Sequence, residues 1–128
     1  MAVPFTAVGK TNPSQPQNPL LYYPRATQSG VVDLEELSER VSDSCSATPS
    51  DCSAVIIGLV TEICRSLDQG NIVRLGQLGS FQVSVQGTSS PSPEEVGEAN
   101  IASSSIIFRP GKKLKKMLDQ LKFYKKKS

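Results

Sequence analysis

"NIVRLGQLGSFQVSV", Asn71 to Val85, sets Gly76 and Gly79 three residues apart between two apolar runs. Ile72, Val73 and Leu75 precede the glycines, and Phe81, Val83 and Val85 follow with a period of two. That alternation marks half-buried strands, and a short glycine-containing link between two such runs reads as a hairpin. Both glycines have a geometric explanation, since glycine serves wherever the chain takes positive φ. The link "GQLG" has no Lys, Ser or Thr to hold a nucleotide phosphate, which excludes a P-loop. A KH-type GXXG loop joins two helices among basic residues, and neither condition holds. The stretch is a hairpin, and its use depends on its surroundings.

The chain of 128 residues is long enough for one modest domain and an extension. Hydrophobic content of 38%, with no Trp and 5% aromatics, suits a protein that takes part of its core from a second chain. Three cysteines (Cys45, Cys52 and Cys64) without CxxC spacing, and no His, argue against a zinc site. Cys52 and Cys64 are expected on the buried stripe of a helix, which implies a reduced, cytoplasmic compartment. No run reaches membrane-spanning length and none reads as a leader, so no membrane partner is expected.

Residues 1–30 hold five of the nine prolines, and "TNPSQPQNPL" reads as a linker. Val3, Phe5 and Val8 before it are expected to add an edge strand to an exposed sheet edge, making 1–30 an extension strapped onto a domain spanning 31–123. Asp33 and Glu36 suggest a capping box for a short helix with Leu34, Leu37 and Val41 on one face. Thr48, Pro49 and Asp51 form a stronger start signal: cap, N1 proline, acid at N3. The helix they open stops at Gly70. Its centre, "AVIIGLV", is apolar nearly all round, and Gly58 sits inside that belt despite disfavouring a helix interior by roughly 1 kcal/mol. A close crossing with another helix accounts for both, which predicts a homodimer. After the hairpin comes a polar segment in which Ser92, Pro93 and Glu95 suggest one helical turn. "SIIFR" gives a third strand, and Pro110 is expected as N1 of a last helix with Leu114, Met117, Leu118 and Leu121 facing inward. The order is α-α-β-β-β-α: two crossing helices and a three-stranded antiparallel sheet, an α+β fold.

That order resembles the bacterial HU and integration host factor family of histone-like, DNA-bending proteins. "LDQGNIVRLGQLGSF" is similar to the family's L-x-x-G-x-x-V-x-L-x-x-x-G-x-F segment, and "FRPGKKLKKML" to its F-R-P-G-x-K-L-K segment. With the Thr48-Pro49 helix start they anchor Val31 to Phe123. "NPLLYYPRATQSGVVDLEEL" is similar to an HU-related subgroup with added N-terminal strands. The resemblance implies an intertwined dimer whose hairpin strands continue towards DNA-embracing arms. Family arms are rich in Arg and Lys and carry R-N-P-x-T-G, whose proline wedges between base steps. This chain departs from that pattern: Ser80 to Ile107 contains no Lys or Arg, and Glu94, Glu95 and Glu98 lie there with Pro91 and Pro93. Neither proline is assigned as a wedge.

Charge is divided along the chain. Arg109 to Ser128 holds nine Lys/Arg against Asp119 alone, a charge of +8, which leaves −6 on residues 1–108. Such a split points to a polyanionic partner, with 124–128 as a basic tail. Arg109, Lys112 and Lys113 stand at the start of the last helix, whose dipole disfavours cations there. Without a Ser, Thr, Asp or Asn cap, and with Gly111 leaving the backbone open, that start suits a phosphate. The candidate DNA-contacting residues are Arg109, Lys112, Lys113 and Lys116, with Arg74, at a position often basic in the resembled family, assisting. Two readings remain open. One is a nucleoid-associated dimer contacting the DNA backbone with little sequence specificity and weak or no proline-wedge bending. The other is a structural or protein-interaction dimer that kept the fold and lost the arms. Nothing in the chain suggests an enzyme, a cofactor or a small-molecule substrate.

Overall fold

The structure, a computed structural model, describes residues 2–127. The elements run β1 (Val3–Lys10), β2 (Leu21–Ala26), α1 (Leu34–Asp43), α2 (Pro49–Asp68), β3 (Val73–Arg74), β4 (Gly79–Gly87), β5 (Ile101–Pro110), α3 (Lys112–Asp119) and β6 (Phe123–Lys125). They divide into two compact units, residues 34–117 and residues 1–33 with 118–128.

In the unit of residues 34–117, α2 begins as its sequence requires. Thr48 Oγ1 accepts the amide of Asp51 at 3.1 Å and Pro49 occupies the first turn. The helix ends in paired bonds from Gly70 N to Leu67 O at 3.0 Å and from Asn71 N to Ser66 O at 3.1 Å, a Schellman stop. α1 lies against it through small side chains: Ser38 Oγ and Ser53 Oγ are 2.8 Å apart, and Ser38 is 1% exposed. Burial of Cys52 pushes its thiol above the ordinary value, with neighbouring Cys45 and then Asp51 adding to the shift. Cys64, expected on the buried stripe, is exposed within the single chain.

The quoted stretch is the hairpin the alternation predicts. Leu75 N bonds Gly79 O at 2.8 Å and Leu78 N bonds Leu75 O at 3.1 Å, closing a turn between β3 and β4. β4 lies between β3 and β5 in an antiparallel sheet. Phe81 and Phe108 are paired across β4 and β5 with ring centroids 5.0 Å apart, on the face that also carries Val83 and Ile106. At Gly79 φ is +140°, and a Cβ would meet Arg109 O at 2.2 Å, so only glycine lets β5 come this close.

Beyond Gln86 the ladder skips Ala102, and the polar segment folds back on itself. The helical turn predicted there forms over Pro93–Glu95, and a second over Glu98–Asn100. Asn100 is the clasp. Its amide donates to Thr88 O, Thr88 Oγ1 and Ser90 Oγ at 3.2, 3.3 and 3.0 Å, while its Oδ1 accepts Gly97 N at 2.8 Å. The Pro91 region is therefore a closed acidic loop.

The apolar belt of α2 finds no cover among the described residues of its own unit. Among the described residues only Cys52 and Leu67 are buried hydrophobics, while Val55 is 70%, Ile57 57% and Val60 54% exposed. A Cβ on Gly58 would meet nothing within 4 Å, so α1 is not the helix that crosses there.

The other unit corrects the expected extension. β1 is not an edge strand. It is the central strand of a second sheet, antiparallel to β2 and parallel to β6. Val3 N bonds Lys122 O and Lys126 N bonds Phe5 O, both at 2.8 Å. The segment 118–128 thus groups with the extension. The β2 ladder begins only at Phe5, so β6 supplies the strand partner that the backbone of Val3 and Pro4 would otherwise lack, and the two ladders meet at Phe5.

Candidate nucleic-acid interface

Cross-strand register sets the polar face of the hairpin sheet. Arg74 of β3 and Arg109 of β5 are both partners of Ser80 on β4. Partners across a ladder point to one side, so the two guanidinium side chains flank Ser80 in one row, with backbones about 10 Å apart by strand spacing. Gln82, next on that face, accepts from Arg109 Nη1 at 3.4 Å. Alternation places Val73, Phe81 and Phe108 on the opposite face.

The row borders a depression of about 360 Å³ lined by Arg74, Ser80, Arg109 and Lys115 and by the glycines Gly76, Gly79 and Gly111. No acidic side chain is among its lining residues. Lys115 was not singled out by the sequence reading. Its amide bonds Gly111 O at 2.9 Å, placing it one helical turn beyond the glycine that the depression includes. Spacing of four from Gly111 was the available signal. Lys112, Lys113 and Lys116 are exposed on α3 and lie outside the depression.

The start of α3 differs from expectation. Pro110 is the last residue of β5, paired with Gly79, and the helix begins at Lys112 with Gly111 before it. Gly111 does not keep its surroundings open for a ligand: its N–H donates to Leu78 O at 3.0 Å. A Cβ there would meet Gln77 O at 2.4 Å and Gly76 O at 2.8 Å. The glycine lets the helix start sit against the hairpin turn, which is what brings Lys115 to the two arginines. The first-turn amides of Lys112, Lys113 and Leu114 lack intrahelical acceptors, and two of them belong to lysines.

The hairpin sheet, the two helices before it and the helix after it define an HU-type fold. No curated protein matches the chain. Among solved structures it resembles the Anabaena HU–DNA cocrystal structure, with a TM-score of 0.52 and 20% identity over 70% of this chain and 99% of that one. It also resembles a Bacteroides vulgatus structure provisionally described as a bacterial DNA-binding protein, with a TM-score of 0.64 and 14% identity over 95% of this chain. The chain spans about half of that protein, 47% of its length. The family model described as "HU domain fused to wHTH, Ig, or Glycine-rich motif" matches residues 1–125, and the chain belongs to that family. Among the described residues, no helix is long and apolar enough to cross a membrane.

Proposed function

We propose that the protein is a histone-like, nucleoid-associated homodimer that holds duplex DNA by its phosphate backbone, with little sequence specificity and without proline-wedge bending. The observation that carries this reading is the row of Arg74, Ser80 and Arg109 beside Lys115, around a depression free of acids. Cations so placed recognise charge and spacing, and backbone phosphates carry no direct sequence information. Lys112, Lys113 and Lys116 add attraction along α3. The family membership and the likeness to an HU–DNA complex support the same partner. The closed loop around Pro91 and Pro93 has no Lys or Arg to hold it against a duplex, which argues against a wedge.

The uncovered belt of α2 supports the dimer. Val55, Ile57, Leu59 and Val60 are all exposed in one chain, and burying each against a second copy contributes about 1.5–3 kcal/mol. Gly58, in the middle of that belt, leaves room for a helix to cross at close range.

The test is binding of the full chain to a labelled duplex across a salt series. A steep loss of affinity with salt, equal for unrelated sequences, is the expected result. One observation favours the second reading, a protein-interaction dimer: the loop that replaces the basic arms carries Glu94, Glu95 and Glu98. Absence of duplex binding at low salt would decide for it.

A further inference from the structure

The second sheet has two unlike faces. By register, Pro4, Thr6, Val8 and Lys10 of β1 share one side with Leu21, Tyr23 and Arg25 of β2 and with Tyr124 of β6. The opposite side carries Val3, Phe5 and Ala7 beside Tyr22, Pro24 and Phe123, with Lys125 as its one cation. On the first side Pro4 is buried and Thr6 and Val8 are partly buried, while Lys10, Tyr23, Arg25 and Tyr124 around them are exposed. Tyr23 is 47% and Tyr124 50% exposed. Lys10 Nζ stands 5.6 Å from the centre of the Tyr23 ring, and the two line a solvent-open depression of about 410 Å³ with Thr11, Asn12 and Leu21. The three strands carry no Asp or Glu.

From this face we infer that the extension sheet is a platform for single-stranded nucleic acid, separate from the duplex site on the other unit. The reasoning turns on which ligand uses every group present. Two cations without an acid select a polyanion, but cations alone would serve a duplex, an acidic peptide or a single strand. The phenol rings discriminate. A duplex keeps its bases stacked on one another and offers no free π-face, and an acidic peptide has none to offer. An unpaired strand presents bases that stack on aromatic rings while its phosphates meet neighbouring cations. Tyr23 and Arg25 alternate along β2 on this one face, Lys10 lies beside Tyr23, and Tyr124 extends the surface on the far strand. None of these residues belongs to the duplex site, so the two activities separate by mutation.

The experiment measures binding of the intact chain to a short fluorescein-labelled oligothymidylate and, in parallel, to a duplex. Changing Tyr23→Leu and Tyr124→Leu together should weaken oligothymidylate binding about tenfold or more per ring and leave duplex affinity unchanged. Tyr23→Phe with Tyr124→Phe keeps the rings and should keep the affinity, which separates lost stacking from a damaged fold. Lys10→Gln with Arg25→Gln should flatten the salt dependence for the single strand by about 1.4 in slope, since each phosphate contact contributes about 0.7. Arg74→Ala with Arg109→Ala should do the reverse, losing the duplex and keeping the oligonucleotide. The inference is overturned if the wild-type chain fails to hold oligothymidylate at low salt, or if the Leu variant binds it as well as the wild type. It is also overturned if poly-glutamate binds the sheet as tightly as the oligonucleotide, which would assign the face to an acidic protein segment.

Discussion

Arg74 and Arg109 are 35 residues apart in the chain, yet each is the cross-strand partner of Ser80, one from either side. Two guanidinium groups on one face, with a lysine one helical turn from Gly111 beside them, form a compact cationic surface. Arginine suits such a surface because its planar fork gives two parallel bonds to a phosphate.

Arg74→Ala and Arg109→Ala should each lower the slope of log K against log salt by about 0.9 for duplex DNA, equally for unrelated sequences. Lys115→Ala should do the same if it contacts a phosphate, while Lys112→Ala and Lys113→Ala test the helix start. Fluorescence anisotropy across a salt series measures all of them. An unchanged slope for the Arg74 and Arg109 variants would remove the row from the interface.

Changing Pro91→Ala and Pro93→Ala should leave duplex affinity and bending unaltered, because cations are absent from Ser80 to Ile107. Asn100→Ala, by contrast, removes the clasp of the same loop and should cost about 1–3 kcal/mol, most visibly as faster hydrogen exchange at Thr88. A proline variant that loses binding while Asn100→Ala keeps it would show that the loop itself reaches DNA.

Gly58 distinguishes one chain from two by the sign of a mutation. With nothing within 4 Å, Gly58→Ala would stabilise an isolated α2 by roughly 0.5–1 kcal/mol. In a dimer with helices crossing at this point it should destabilise instead, and Gly58→Leu should drive dissociation seen by sedimentation. Cys64 gives a second measure. It shares a helical face with Ile57 and Val60 by spacing, so thiol labelling should be slow in the assembled protein and fast after denaturation.

Deleting residues 1–30 should do more than shorten the chain. It removes the strand that pairs with Phe123–Lys125, so trypsin should cut at Lys125 to Lys127 faster and the melting temperature should fall. An unchanged melting temperature and cleavage rate would mean that the second sheet contributes nothing to stability.

Features that rest on neighbours a few residues apart were legible in the chain. The Thr48–Pro49 start, the stop at Gly70, the turn between Gly76 and Gly79 and the single turn at Pro93 each follow from caps, missing side chains or fixed φ. The family resemblance rested on the same local punctuation. Pairings across long separations were not legible. The apolar residues Val3, Phe5 and Val8 of β1 allow an edge or a central position, and only the return of Phe123 to Val3 decides between them. Lys115 looked no different from its four neighbours in the basic run until the contact of Gly111 with the hairpin turn set the helix orientation. The exposed belt of α2 lies between these cases. Its all-round apolar pattern states that a cover is needed, but periodicity carries no information on which surface supplies it, because burial depends on the assembled neighbours and not on the helix alone.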